Sequence, residues 1–150
     1  MTRVSFYVHE TASDTELWVC RLLDKILRSG HQAYVYCPEN SLRESLDRRL
    51  WTWSQGSFTA HELQAGKPCD APIVLGADEP LGDDRGSLLL YGCPEQTPPA
   101  FFSSFERCLE IVAGSEEDKI PARARFRHYR ERGYPLETHQ ITPQNPQDAS

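Results

Sequence analysis

No stretch of the 150 residues approaches the ~18 consecutive apolar residues of a membrane-spanning helix. Met1–His9 lacks the basic-then-apolar opening of a secretory signal and reads instead as a strand, so the sequence predicts a cytoplasmic protein. Cysteine is sparse. The five, Cys20, Cys37, Cys69, Cys93 and Cys108, are odd in number, widely spread and form no Cys-x-x-Cys pair, which argues against a zinc knuckle or dithiol redox centre and for reduced, mostly structural thiols. Positive charge is in deficit: 16 Lys and Arg against 22 Asp and Glu give a net charge of -6, a poor match for a protein that grips nucleic acid over its whole surface. Glycine is missing where a dinucleotide-binding protein needs it. The first strand-to-helix turn is His9-Glu10-Thr11-Ala12-Ser13, and Glu10 and Asp14 there would repel a phosphate. There is no phosphate-cradling loop elsewhere, no Gly-x-Ser-x-Gly elbow, and no paired spacing among His9, His31, His61, His128 and His139. The sequence therefore predicts no catalytic residues, no metal and no cofactor.

What is present is an α/β pattern. The composition, 39% hydrophobic and 25% charged, is that of one soluble domain able to bury roughly 70% of its unfolded surface. Val4–Val8 reads as a buried strand, and Leu17, Cys20, Leu23 and Leu27 recur at helical spacing to about Ser29, with Gly30 as a C-cap. Ala33–Cys37 is a second strand. Ser41, with Glu44 three residues on, suggests a capping box for a helix carrying Leu42, Leu46 and Leu50 and ending near Trp51. Residues 51–67 show no clear period. Ile73–Leu75 and Ser87–Tyr91 read as strands, and the acidic stretch Asp78–Gly86 between them as a solvated loop rather than a metal site. Phe101, Phe102, Phe105, Leu109 and Val112 predict a third helix closed by Gly114. A fourth is expected to begin near Pro121, leaving Lys119 at its mouth, and to run to about Arg132 with Gly133 as its cap. Alternating strands and helices predict right-handed crossovers and a largely parallel central sheet flanked by helices. His9, at the end of the first strand, lies where such sheets carry function, although a hydrogen-bonded structural histidine is the plainer reading.

Two features point to partners. Lys119, Arg123, Arg125, Arg127, Arg130 and Arg132 are opposed only by Glu131. Arg123, Arg127 and Arg130 share one helical stripe, next to an apolar stripe of Ala122, Phe126 and Tyr129. Cations beside an aromatic edge suit an acidic peptide with a hydrophobic end. The alternative is a charged, solubilising face that complements the helix dipole. The second feature is Trp51, Trp53 and Phe58, which read either as interface anchors or as aromatics folded back onto the core.

Three segments carry a resemblance: LWTWSQGSFTAH (Leu50–His61), PIVLG (Pro72–Gly76) and, most specifically, RARFRHYRERGYPLETH (Arg123–His139). With Val4–Tyr7 they make the chain similar, over residues 1–141, to the chi subunit family of bacterial DNA polymerase III. The resemblance implies a single Rossmann-like α/β domain over residues 1–141, without nucleotide chemistry; the last nine residues, Thr142–Ser150, are polar with two prolines and read as a disordered tail. The resemblance also implies a non-catalytic, nucleoid-associated replication adaptor that pairs with the psi subunit of the clamp loader and binds the acidic C-terminal tail of single-stranded DNA-binding protein, which ends in Pro-Phe. Some members join a repair helicase through the surface used for psi. DNA is then met only indirectly, and no membrane is involved. Carried over position by position, tail binding falls on Val112, Lys119, Arg123 and Phe126, with Arg127 beside them. The psi or helicase surface falls on Trp51 and Phe58. Members with Tyr where this chain has Phe126 would offer a hydroxyl that is missing here.

Two rival readings follow from the residues alone: a small nucleotide-dependent α/β enzyme, disfavoured by the missing glycines, and a direct single-stranded DNA binder using the Arg helix and tryptophans, disfavoured by net charge.

Overall fold

The computed structural model describes residues 1–10, 14–53, 61–65, 71–80 and 86–142. In chain order the elements are β1 (Arg3–His9), α1 (Thr15–Arg28), β2 (Ala33–Tyr36), α2 (Asn40–Thr52), β3 (His61–Leu63), β4 (Ile73–Gly76), β5 (Ser87–Tyr91), a short 3-10 helix (Ala100–Ser104), β6 (Arg107–Val112), α3 (Glu116–Glu131) and β7 (Leu136–Ile141). The seven strands form one sheet in the order β3-β4-β2-β5-β6-β1-β7, and every strand pair is parallel. The α/β architecture with a parallel sheet flanked by helices is as expected. Among the described residues no helix is long and apolar enough to cross a membrane.

Helices cover both faces, so the inner strands are apolar on both sides, as parallel sheets require. Tyr7, Val35, Leu89, Leu109 and Ile111 turn to one face and pack against Trp18, Leu22, Leu23 and Ile26 of α1 and Leu46 and Leu50 of α2. Val4, Phe6, Leu88, Leu90 and Cys108 turn to the other and meet Phe102, Phe105, Ala122 and Tyr129. Cys20, Cys37, Cys93 and Cys108 are buried free thiols. Desolvation pushes the first three up to about 12 and Cys108 well above the ordinary thiol range, so all four are inert packing residues at neutral pH. Cys69 lies outside the described residues, as do Thr11–Ser13 and residues 143–150, where the tail was expected.

Four expectations are corrected. Residues 101–112 are not one helix: the 3-10 turn Ala100–Ser104 is followed by the strand β6. Cys108–Val112 are all buried, which a one-sided helix could not achieve and a strand sandwiched between two helical layers does. The helical spacing of the phenylalanines joined two elements by coincidence. Second, α3 begins at Glu116, not near Pro121. Ser115 caps it: the hydroxyl oxygen accepts from the Asp118 amide at 3.3 Å and its proton goes to the Asp118 carboxylate at 2.6 Å. Glu116, Glu117 and Asp118 then complement the N-terminal dipole, which offsets the one amide donor that Pro121 removes in the second turn. Third, α2 starts at Asn40 without a side-chain cap, and Ser41 donates to Glu39 instead of forming a box with Glu44. Fourth, β3 and β7 are strands that periodicity did not reveal.

Gly133 sits at φ +77 directly after α3, the position anticipated for it. Gly92, after β5, has φ +69, and a Cβ there would collide with Leu42 Cδ2 of α2. Gly92→Ala is expected to cost about 1–3 kcal/mol in urea denaturation, from left-handed backbone strain and the displaced leucine together.

Candidate functional site

The parallel pairing of β1 with both β6 and β7 builds a groove. Register aligns Val8 with Val112 on one side and with Gln140 on the other, and Phe6 with Thr138. On the α3 face of the sheet, Phe6 and Val8 thus form a floor, Val112 one end, and Thr138 and Gln140 the far wall. The near wall is α3. Because that helix starts at Glu116, Lys119 is inside it rather than at its mouth, and Lys119, Ala122, Arg123 and Phe126 follow i, i+3, i+4, i+7 spacing along one side. These residues enclose about 320 Å³, enough for one large side chain and its flanking backbone. Four of the five positions carried over for tail binding therefore line one cavity: Val112, Lys119, Arg123 and Phe126. Arg127 does not. It is exposed on the outer side of α3.

The groove is cationic above and apolar below. Lys119 is half-buried and, among the described residues, has no carboxylate partner. Arg123 is exposed and, among the described residues, reaches only Glu116, at 3.4 Å, with both side chains mostly in water. Such an exposed pair is weak and readily exchanged for a better anion. Phe126 is half-buried, edge-on to Phe6 at 5.3 Å between ring centroids, and Arg130 lies 5.9 Å from the Phe126 ring centre on a cation–π line. Phe6, Val8, Thr138 and Gln140 were not anticipated here. Phe6 and Val8 come from β1, over a hundred residues before α3, and Thr138 and Gln140 from β7, which periodicity did not reveal; the β1–β7 pairing brings them together.

Arg125 corrects the reading of the basic helix. It is not a surface cation: its side chain is 3% exposed and pairs with Glu110, 0% exposed, at 2.8 Å. Nε donates to both Glu110 oxygens (3.1 and 2.9 Å), and Nη1 donates to the carbonyls of Cys93 and Glu95 (2.9 and 2.7 Å). The Tyr129 hydroxyl donates to Glu110 Oε2 at 2.7 Å, and Arg125 Nη2 to Oε1 at 2.8 Å. Burial opposes the guanidinium's charge, but the adjacent Glu110 overcomes it and holds Arg125 more firmly protonated than in water. The signal was in the sequence: Glu110 inside the apolar run Arg107–Val112 needs a cation.

At the end of β1, His9 is buried beside the groove. Its Nδ1 donates to the Val112 carbonyl at 3.3 Å, its ring lies edge-on to Trp18 at 4.7 Å, and Nε2 has no partner among the described residues. This is the structural histidine of the plainer reading. Desolvation lowers its pKa below 6.5, because a proton on Nε2 would place an unpaired charge in the core. The unfolded chain then binds that proton first as pH drops below about 6.5, so the stability His9 contributes is present above that pH and lost on acidification. Melting temperature is expected to fall between about pH 7.5 and 5.5, and to fall less steeply in His9→Phe. Desolvation also lowers the pKa of His128, so a smaller slope remains in that variant.

The aromatic segment divides. Trp51, at the end of α2, is 56% exposed, its ring 4.8 Å from that of His61. His61 is buried, and its Nε2 lies 3.0 Å from Asp47 Oδ1. Leu63 of β3 is also exposed, while Trp53 folds back against the core. Phe58 lies outside the described residues.

A family model described as DNA polymerase III chi subunit, HolC, matches residues 1–137. A DNA polymerase III subunit chi from Pseudomonas aeruginosa is 39% identical over 143 residues, spanning 94% of this chain and 98% of the relative. Those from Haemophilus influenzae and Escherichia coli are 27% and 26% identical, covering 81% and 92% of this chain and 84% and 97% of their own. The family-model match runs through β1, β6 and α3, three of the four elements that build the groove, and stops just short of Thr138 and Gln140 on β7. On this evidence the chain belongs to the DNA polymerase III chi subunit family.

Proposed function

We propose that this chain is a non-catalytic adaptor of the bacterial replicase, on a Rossmann-like scaffold, that holds the acidic C-terminal tail of single-stranded DNA-binding protein in the α3–β7 groove. The observation that carries the reading is the meeting of Lys119 and Arg123 with Phe126, Phe6 and Val8 in one cavity. A peptide ending in acidic residues, Pro-Phe and a free carboxylate matches it part by part. The terminal ring enters between Phe6, Val8 and Phe126, and the carboxylate meets Arg123 in a charge-assisted pair. The acidic residues upstream face Lys119, while Thr138 and Gln140 offer a hydroxyl and an amide to the peptide backbone. Phe126 supplies an apolar edge in place of a tyrosine hydroxyl. Arg127, outside the cavity, adds only long-range attraction.

The second partner surface is Trp51, together with Phe58. An exposed tryptophan backed by a buried histidine is a rigid, large contact, the kind that anchors interfaces, and we assign it to the psi subunit or to a repair helicase. It lies on the α2 side of the sheet, away from α3, so both partners fit at once and the adaptor bridges the clamp loader to coated template at the nucleoid without itself gripping DNA.

Chemical-shift mapping tests the reading. Titrating the ¹⁵N-labelled chain with the tail peptide is expected to move Val112, Lys119, Ala122, Arg123, Phe126, Thr138 and Gln140 and leave Trp51 unmoved, with shifts shrinking as salt screens the charges. Shifts centred on Trp51, or matched by a bare oligonucleotide, would transfer the function to a different surface or ligand.

A further inference from the structure

The sequence of α3 sets a problem that its apolar residues solve poorly. Arginine occupies 123, 125, 127 and 130, and the buried stripe offers only Ala122, Tyr129 and half of Phe126. If the helix were turned or slid by two residues, a different arginine would reach the sheet. Such a shift that gave Glu110 to Arg127 would put Arg125 where Arg123 stands and His128 where Phe126 stands. The groove would keep a cation and lose its ring.

We propose that Glu110 is a register pin for the groove. By accepting Arg125 alone, it decides which of the alternating arginines is buried, and so which cation and which ring face the bound peptide. Glu110 and Arg125 are then positioning residues for tail binding, an assignment that rests on the adaptor reading above. The geometry is selective. Arg125 presents Nε and Nη2 to one carboxylate while Nη1 reaches the Cys93 and Glu95 carbonyls, and Tyr129, one turn further along, donates to the same carboxylate. Only one rotation and one axial position of α3 satisfy all these acceptors together. Buried polar groups that fix a helical register at some cost in stability are a documented use of such pairs.

The test separates pinning from stabilisation. The apolar replacement Glu110→Leu/Arg125→Met/Tyr129→Phe removes the pair without stranding a charge and, although the Cys93 and Glu95 carbonyls lose their donor, is expected to fold and to lose far less stability than Arg125→Ala. We expect it nevertheless to bind the tail peptide at least about tenfold more weakly, a loss of roughly 1.4 kcal/mol, and to lose the single Phe6–Phe126 ring contact in NOE spectra. Arg125→Lys, which keeps a charge opposite Glu110 but loses the fork and the donors to Cys93 and Glu95, should bind with an affinity between those of the parent and the apolar variant. Parent-like affinity and a parent-like ring contact in the apolar variant overturn the inference. If that variant does not fold, Glu110→Gln, which keeps the shape and loses the charge, decides by the same two readouts. Should the parent itself not bind the peptide, the adaptor reading fails, and the ring contact alone then decides whether the pin exists.

Discussion

Arg123→Ala is expected to weaken binding of the acidic tail peptide by about 10- to 150-fold while leaving the fold intact, since a hydrogen bond to a charged group is worth roughly 1.5–3 kcal/mol. The guanidinium lies at the groove's mouth, and its partner among the described residues, Glu116, holds it at 3.4 Å with both groups largely in water. Little stability is lost on removing it, because exposed pairs contribute about 0–1 kcal/mol. The ligand's terminal carboxylate would meet it beside the apolar floor of Phe6 and Val8, where water competes less. Arg123→Lys should recover only part of the affinity, because a point charge cannot grip a carboxylate in bidentate fashion. Arg127→Ala, two residues on but outside the cavity, should change affinity by less than about threefold. Fluorescence anisotropy with a labelled peptide reads all three. A uniform, small loss across the three variants would mean that the helix acts as a diffuse basic face.

Arg125→Ala is expected to be the most damaging single change to stability, at about 3–5 kcal/mol, because it strands a fully buried carboxylate. Glu110 would retain only the Tyr129 hydroxyl, and the Cys93 and Glu95 carbonyls would lose their donor. Domains of this size are stable by only about 5–15 kcal/mol, so the change removes roughly a fifth or more of the total. Arg127→Ala is the control and should lie within about 0.5 kcal/mol of the parent. Urea denaturation of both variants checks the contrast. A cost below about 1 kcal/mol for Arg125→Ala would show that water reaches Glu110 and that the pair is not a core element.

The two predictions concern arginines two residues apart with opposite fates, and the sequence did not distinguish them. Periodicity reports where apolar residues fall on a helix. In Arg123–Arg130 the apolar signal is weak, and which arginine is buried depends on a carboxylate thirteen to twenty residues upstream. Elements with strong local signals were legible: β1, α1, β2 and β5 are continuous apolar runs or clear amphipathic repeats. β6 was lost to helical spacing that bridged Phe101 to Val112 across a real break. β7 was lost because an edge strand buries little: of Leu136–Ile141 only Ile141 is buried, and Leu136 and His139 are half so. That loss also hid one wall of the groove. Thr138 and Gln140 are unremarkable polar residues until β7 pairs with β1. The cationic and aromatic wall was legible, by residue type and by resemblance, because all of it except Val112 lies on one helix.

The central claim is that one groove reads both the charge and the terminal ring of an acidic tail. The measurement that tests it most directly is anisotropy of the tail peptide, with and without its last Phe, against the chain and Arg123→Ala at low and moderate salt. The account predicts micromolar binding, about -8 kcal/mol, that needs both the Phe and Arg123 and weakens with salt. Binding that ignores the Phe, or persists unchanged in Arg123→Ala, would contradict it.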